Sequence, residues 1–121
     1  MRLDLEFIDG RNWRLLKAFP YHGERFGGTV PKGFLTDFAS VPKILWNLLP
    51  PTGEYGPAAV IHDYLYRTAR VTRADADWTF LEAMTRLGVP WLIRHAMYRA
   101  VRLFGASSYH RRAPKPFSSW R

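Results

Sequence analysis

A chain of 121 residues, 47% hydrophobic and 16% aromatic, is long enough for one domain that buries about two-thirds of its unfolded surface. It has no cysteine, which excludes a disulfide scaffold and thiolate metal sites. No apolar run approaches the roughly 18 residues of a membrane span, and the N-terminus alternates where a secretory signal would be continuously apolar, so neither is expected. The net charge of +8 is unevenly distributed: residues 1–82 hold ten basic and ten acidic side chains, whereas eight basic and no acidic ones follow Glu82.

Residues 1–38 read as strands. Leu3, Leu5 and Phe7 alternate with charged residues, Asp9-Gly10 is a strong hairpin turn, and residues 13–21 form the return strand. Gly27-Gly28, Pro31 and Gly33 punctuate a third, short extended stretch. Their spacing matches no phosphate loop, so no nucleotide cofactor is expected.

Residues 40–105 read as helices. Ser40 is placed to cap the first, with Pro42 near its first turn and Ile44, Leu45, Leu48 and Leu49 as its apolar stripe. Pro57 opens a second helix, which carries Ile61-His62-Asp63-Tyr64-Leu65-Tyr66. Thr72-Arg73-Ala74-Asp75 is a capping box that starts a third, ending near Gly88. A fourth runs from Pro90 to Gly105, with Ile93, Ala96, Met97, Ala100, Val101 and Phe104 as its apolar stripe. On its other side lie Arg94, His95, Tyr98, Arg99 and Arg102. Residues 107–121, with Arg111 and Arg112, form a basic tail expected to be irregular.

The candidate site follows from periodicity. His62 shares a helix face with Ala58, Leu65 and Tyr66 and should point inward, while Asp63 lies about 100° round the helix. Asp77 precedes Phe80, Leu81 and Met84 at helical spacing, so it too is expected on a core face, where a carboxylate needs a partner. Short-linked consecutive helices pack antiparallel, which lets Asp77 meet His62 and fix its tautomer. An imidazole held by a carboxylate is the usual general base. Asp37, before the Ser40 helix, is either a helix-terminal acceptor or a second carboxylate that completes a hard-cation site with Asp63. A structural reading stands beside these: His62 as a hydrogen-bonded core residue, with Asp63 paired to Arg67.

Two resemblances bear on function. The His62-Asp63-x-x-Tyr66 segment followed by Ala76-Asp77-x-x-Phe80 resembles the catalytic helix pair of phospholipases A2, over about a fifth of the chain. That likeness implies His62 as base for a water, Asp77 as its orienting carboxylate, Asp63 as calcium ligand and Tyr66 as support. The glycine-rich calcium loop and the disulfides of the secreted members have no counterpart in this chain. The stretch Val30-Pro-Lys-Gly-Phe-Leu-Thr-Asp-Phe-Ala-Ser-Val-Pro42, with Gly56-Pro-Ala-Ala-Val-Ile-His-Asp-Tyr-Leu-Tyr66, resembles a domain-of-unknown-function family of small tailed-phage and prophage proteins. This implies a location in host cytoplasm or phage particle.

The expected fold is α+β, an antiparallel β-meander of about three strands packed on about four C-terminal helices. The leading function is a phage-encoded, cation-assisted hydrolase of ester or amide bonds in a phospholipid or cell-envelope substrate, with His62 and Asp77 catalytic, Asp63 and Asp37 holding Ca²⁺ or another divalent ion, and Tyr66 and Ser40 supporting. The alternative is a non-enzymatic virion or assembly component. It would bind phage structural proteins or an anionic polymer (DNA, a lipid surface or a cell-wall polymer) through Arg94, Arg99, Arg102, Arg111 and Arg112.

Overall fold

The computed structural model describes residues 3–9, 12–37 and 56–112, with side chains described up to residue 109. The fold is α+β, with antiparallel strands in the N-terminal part and helices in the C-terminal part. The helix expected over residues 40–49 lies outside the described residues.

The expected hairpin is present: β1 (Leu5–Asp9) pairs with β2 (Asn12–Leu15), Leu5 opposite Leu15 and Phe7 opposite Trp13, with a register shift between Phe7 and Asp9. The return strand does not continue to Tyr21. It breaks after Leu15, and β3 (Phe19–His22) starts a separate two-stranded sheet with β4 (Gly27–Val30). The short β5 (Leu35–Thr36) joins the far edge of β2, so the order is β1-β2-β5. Among the described residues the expected antiparallel strands thus number five, all short, in two sheets. Leu15, Phe19, Tyr21 and Val30 turn into the core, whereas Phe7, at the outer end of the hairpin, is 55% exposed and covers Trp13 edge-on at 5.1 Å.

The helices are α1 (Gly56–Thr68), α2 (Arg73–Arg86), α3 (Trp91–Phe104) and α4 (Ala106–Arg112). Pro57 and the small residues Ala58 and Ala59 let α1 enter the core, and it is buried on every side from Gly56 to Tyr66. It is the central helix, not an amphipathic surface one. The Thr half of the expected capping box is present: Asp75 N–H donates to Thr72 Oγ1 at 3.2 Å. At the other end of α2, Gly88 has φ +80°, a left-handed conformation that glycine adopts without a Cβ penalty.

Gly105 ends α3 for a different reason. Its backbone is right-handed, φ −79° and ψ −14°, so positive φ is not what it supplies. A Cβ there would collide with the Val101 carbonyl oxygen and the Tyr66 hydroxyl. Glycine thus permits close packing between the end of α3 and α1. Because the chain stays right-handed, it turns directly into α4, which occupies the start of the tail expected to be irregular. Tyr109 anchors α4, its ring edge-on to Tyr66 at 5.3 Å and its hydroxyl donating to Val71 O at 3.0 Å. Gly105→Ala is expected to cost about 1–3 kcal/mol through overpacking, measured as a lowered urea midpoint with unchanged m-value.

Candidate functional site

Helix α2 packs against α1 and brings Asp77 to His62. The His62 Nε2 to Asp77 Oδ1 distance is 2.7 Å, and neither side chain has exposed surface. The same carboxylate oxygen accepts from the Tyr66 hydroxyl at 2.6 Å. The His62–Asp77 contact is the one expected from helical spacing and from the resemblance to phospholipases A2, which gives Tyr66 only a supporting role. Aromatic rings clamp the imidazole, with Tyr66 at 4.2 Å and Phe80 at 4.7 Å between centroids.

The second oxygen of Asp77 is equally engaged. Arg102 Nη1 donates to Oδ2 at 2.8 Å, and Arg73, one turn before Asp77, stands 3.6 Å from it. Arg73 also donates to the Val101 and Arg102 carbonyls at 3.0 and 3.1 Å, and Val101 O accepts from the Gly105 N–H as well. Arg102, grouped by sequence with the polyanion-binding arginines, is thus turned onto Asp77.

Electrostatics follow this geometry. Burial pushes the Asp77 carboxyl up, but the hydrogen bond and charge of His62, with bonds from Tyr66 and Arg102, outweigh it and hold the group below the usual carboxylate range. Burial, reinforced by the hydrogen bond to Asp77, raises the Tyr66 hydroxyl far above the usual phenol value. Asp77 is therefore an anion and Tyr66 a neutral donor. A carboxylate only accepts, so the proton between His62 and Asp77 sits on Nε2, and in the neutral imidazole Nδ1 carries the lone pair.

Asp63 points to a different neighbour. It is fully buried, and its Oδ2 accepts from the Thr36 hydroxyl on β5 at 2.7 Å. Thr36 precedes Asp37, which is half-buried. This tie brings the Thr36-Asp37 strand end to α1. Arg67 lies over the Phe34 ring, 5.5 Å from its centroid. Among the described residues no group of three or more His, Cys, Asp and Glu side chains is placed to hold a metal ion. Ser40 lies outside the described residues.

Of the other basic candidates, Arg94 donates to Val89 O at 2.9 Å at the start of its own helix. Arg99 is exposed. The Arg111 and Arg112 side chains lie outside the described residues, although their backbone belongs to α4. The α3 stripe is only partly internal: Met97 and Val101 are buried, but Ala96 and Phe104 are exposed, as are Trp91, Leu92 and Leu103.

A small α+β domain built around a buried His-Asp-Tyr cluster and strand–helix ties through Thr36 and Asp63 is the class of protein these features define. The chain belongs to the family described as protein of unknown function (DUF1353), which matches residues 13–101 and so takes in most of β2, all of β3, β4, β5, α1 and α2, and most of α3. It is 40% identical over 78 residues to the uncharacterized protein y4jT of Sinorhizobium fredii (strain NBRC 101917 / NGR234). That alignment covers 63% of this chain and 23% of the relative, so the chain spans under a quarter of the relative's length. No solved structure gives a significant match. Among the described residues no helix is long and apolar enough to cross a membrane.

Proposed function

We propose that the chain is a hydrolase of ester or amide bonds, with His62 as general base and Asp77 as the residue that orients it. The observation that carries this reading is the shared oxygen: Asp77 Oδ1 takes both His62 Nε2–H at 2.7 Å and the Tyr66 hydroxyl at 2.6 Å. That arrangement fixes the tautomer and aims Nδ1 away from Asp77. His62 Nδ1 takes a proton from water as the water oxygen attacks the carbonyl carbon, and the imidazolium returns that proton to the leaving oxygen or nitrogen. Asp77 stabilises the imidazolium meanwhile and stays ionised.

Asp63 and Asp37 are the residues that would hold a divalent cation, Ca²⁺ by the chemistry of oxygen ligands. Substrate, backbone or water would supply the rest of the roughly six to eight oxygens calcium takes. Such an ion would polarise the carbonyl. The resemblance to phospholipases A2 favours a phospholipid among ester substrates, and the resemblance to phage proteins favours a phage setting. Because His62 has no exposed surface, turnover on this reading needs a conformation in which substrate reaches the imidazole.

A second reading rests on that same burial and on Arg102 and Arg73 beside Asp77. Here the cluster locks α1, α2 and α3 together, and the protein is a phage virion or assembly component acting through its basic C-terminal region. One experiment separates the two. Hydrolysis of phospholipid vesicles and of cell-envelope ester and amide substrates is followed with and without Ca²⁺, for the native chain and His62→Gln. The hydrolase reading expects calcium-dependent turnover that falls about 10²–10⁴-fold in His62→Gln, with the variant still folding cooperatively. No turnover by the native chain on any of these, with a His62→Gln fold weakened by about 1–3 kcal/mol, overturns it in favour of the structural cluster.

A further inference from the structure

The outward face of α3 carries the wrong side chains for water. At 100° per residue, Trp91, Leu92, His95, Ala96, Arg99 and Leu103 fall within one arc of about 140°, opposite the buried Met97 and Val101; Arg102 falls in the same arc, but its side chain turns onto Asp77. Trp91 is 61% exposed and Leu92 and Leu103 each 74%. Isolated exposed leucines are ordinary, but a continuous apolar face marks an interaction surface. Trp91 stacks on His95 at 4.4 Å between ring centroids, and with Leu92, Ala96 and Arg99 they line a shallow groove of about 300 Å³.

Charge selects the occupant. No acidic residue follows Glu82, and Arg99 stands in the middle of the face with Arg111, Arg112, Lys115 and Arg121 further along the chain. A second copy would bring like charges together. A nucleic acid would engage the guanidinium but has no use for three large apolar side chains on one helix face. The combination of Trp and Leu with basic residues matches a helix that lies in a lipid interface, its apolar side chains below the headgroups and its cations among them.

We infer that the Trp91–Leu103 face of α3 docks the protein on an anionic lipid surface. The docking face uses none of the side chains that bond His62 or Asp77, so this docking holds whether or not the cluster is catalytic and is read without turnover. Flotation with vesicles of phosphatidylcholine containing about a third phosphatidylglycerol should carry the chain upward. Binding should weaken with phosphatidylglycerol omitted, and part of it should survive about 0.5 M salt, where charge attraction is screened and apolar insertion is not.

Leu92→Ser with Leu103→Ser should weaken the salt-resistant binding at least about tenfold, since each leucine lost from lipid forfeits a factor of that order. The melting temperature should stay unchanged, because both side chains are already outside the core. Arg99→Gln should weaken binding at low salt and leave the salt-resistant part. Binding that salt abolishes completely, binding indifferent to the double substitution, or retention of duplex DNA in preference to vesicles would each overturn the inference.

Discussion

Asp77→Ala is expected to destabilise the fold by about 3–5 kcal/mol, because it removes one partner from a fully buried charged cluster and leaves the others desolvated. His62 Nε2–H, the Tyr66 hydroxyl and Arg102 would all lose an acceptor within 2.8 Å. Since domains of this size are stable by only about 5–15 kcal/mol, urea denaturation should show a midpoint shift that takes up a large part of the total. A loss under about 1 kcal/mol would mean that the cluster is held by other contacts. Asp77→Asn should cost less, because an amide oxygen can still accept from His62 and Tyr66, but it should change the pH profile.

The sign of that profile follows from the direction of the Asp77 shift. Its folded pKa lies below the unfolded value, so its stabilisation is fully present above the usual carboxylate range and is lost as pH falls toward the folded value. Native protein should therefore weaken on acidification below about pH 4, and Asp77→Asn should flatten that acid limb. Equilibrium denaturation at several pH values measures both slopes.

Much of this arrangement is written in local pattern. Pro57 opens α1, Gly88 follows α2, Pro90 and Gly105 flank α3, Thr72 caps α2 through the Asp75 N–H, and the expected pairing of β1 with β2 is present. The inward position of Asp77 follows from Phe80, Leu81 and Met84, and its meeting with His62 follows from a short connection between helices.

What was not legible depends on contacts between distant segments. Arg102 reads as a solvent-facing cation, because nothing local says that the end of α3 returns to α2; the contact spans 25 residues. Asp63 reads as a cation ligand or a partner of Arg67, yet β5 reaches that side of α1 through Thr36, 27 residues earlier. The polar run after Gly105 resembles a loop in composition. Only the right-handed backbone at Gly105 and the seat of Tyr109 against Tyr66 make it a helix.

Phe80→Ala is expected to cost about 3–5 kcal/mol, the range for removing a fully buried aromatic side chain. The position decides the value. Phe80 has no exposed surface and lies 4.7 Å from the imidazole of His62, on α2 one helical turn beyond Asp77. The surrounding side chains cannot close the gap cheaply, because on the other side His62 is pinned to Asp77 by a 2.7 Å bond and rests against Tyr66. A residual cavity should persist, and its cost grows by about 24 cal/mol per Å³. Thermal melts should therefore show a large drop, with Phe80→Leu, which refills most of the volume, falling well short of it. The imidazole provides a second readout: with one wall removed, its ring signals in NMR should broaden or shift while those of the distant Trp13 remain. Equal stability of Phe80→Ala and native protein would show that α1 and α2 repack freely, which contradicts a rigidly clamped His62 and with it either role proposed for that residue.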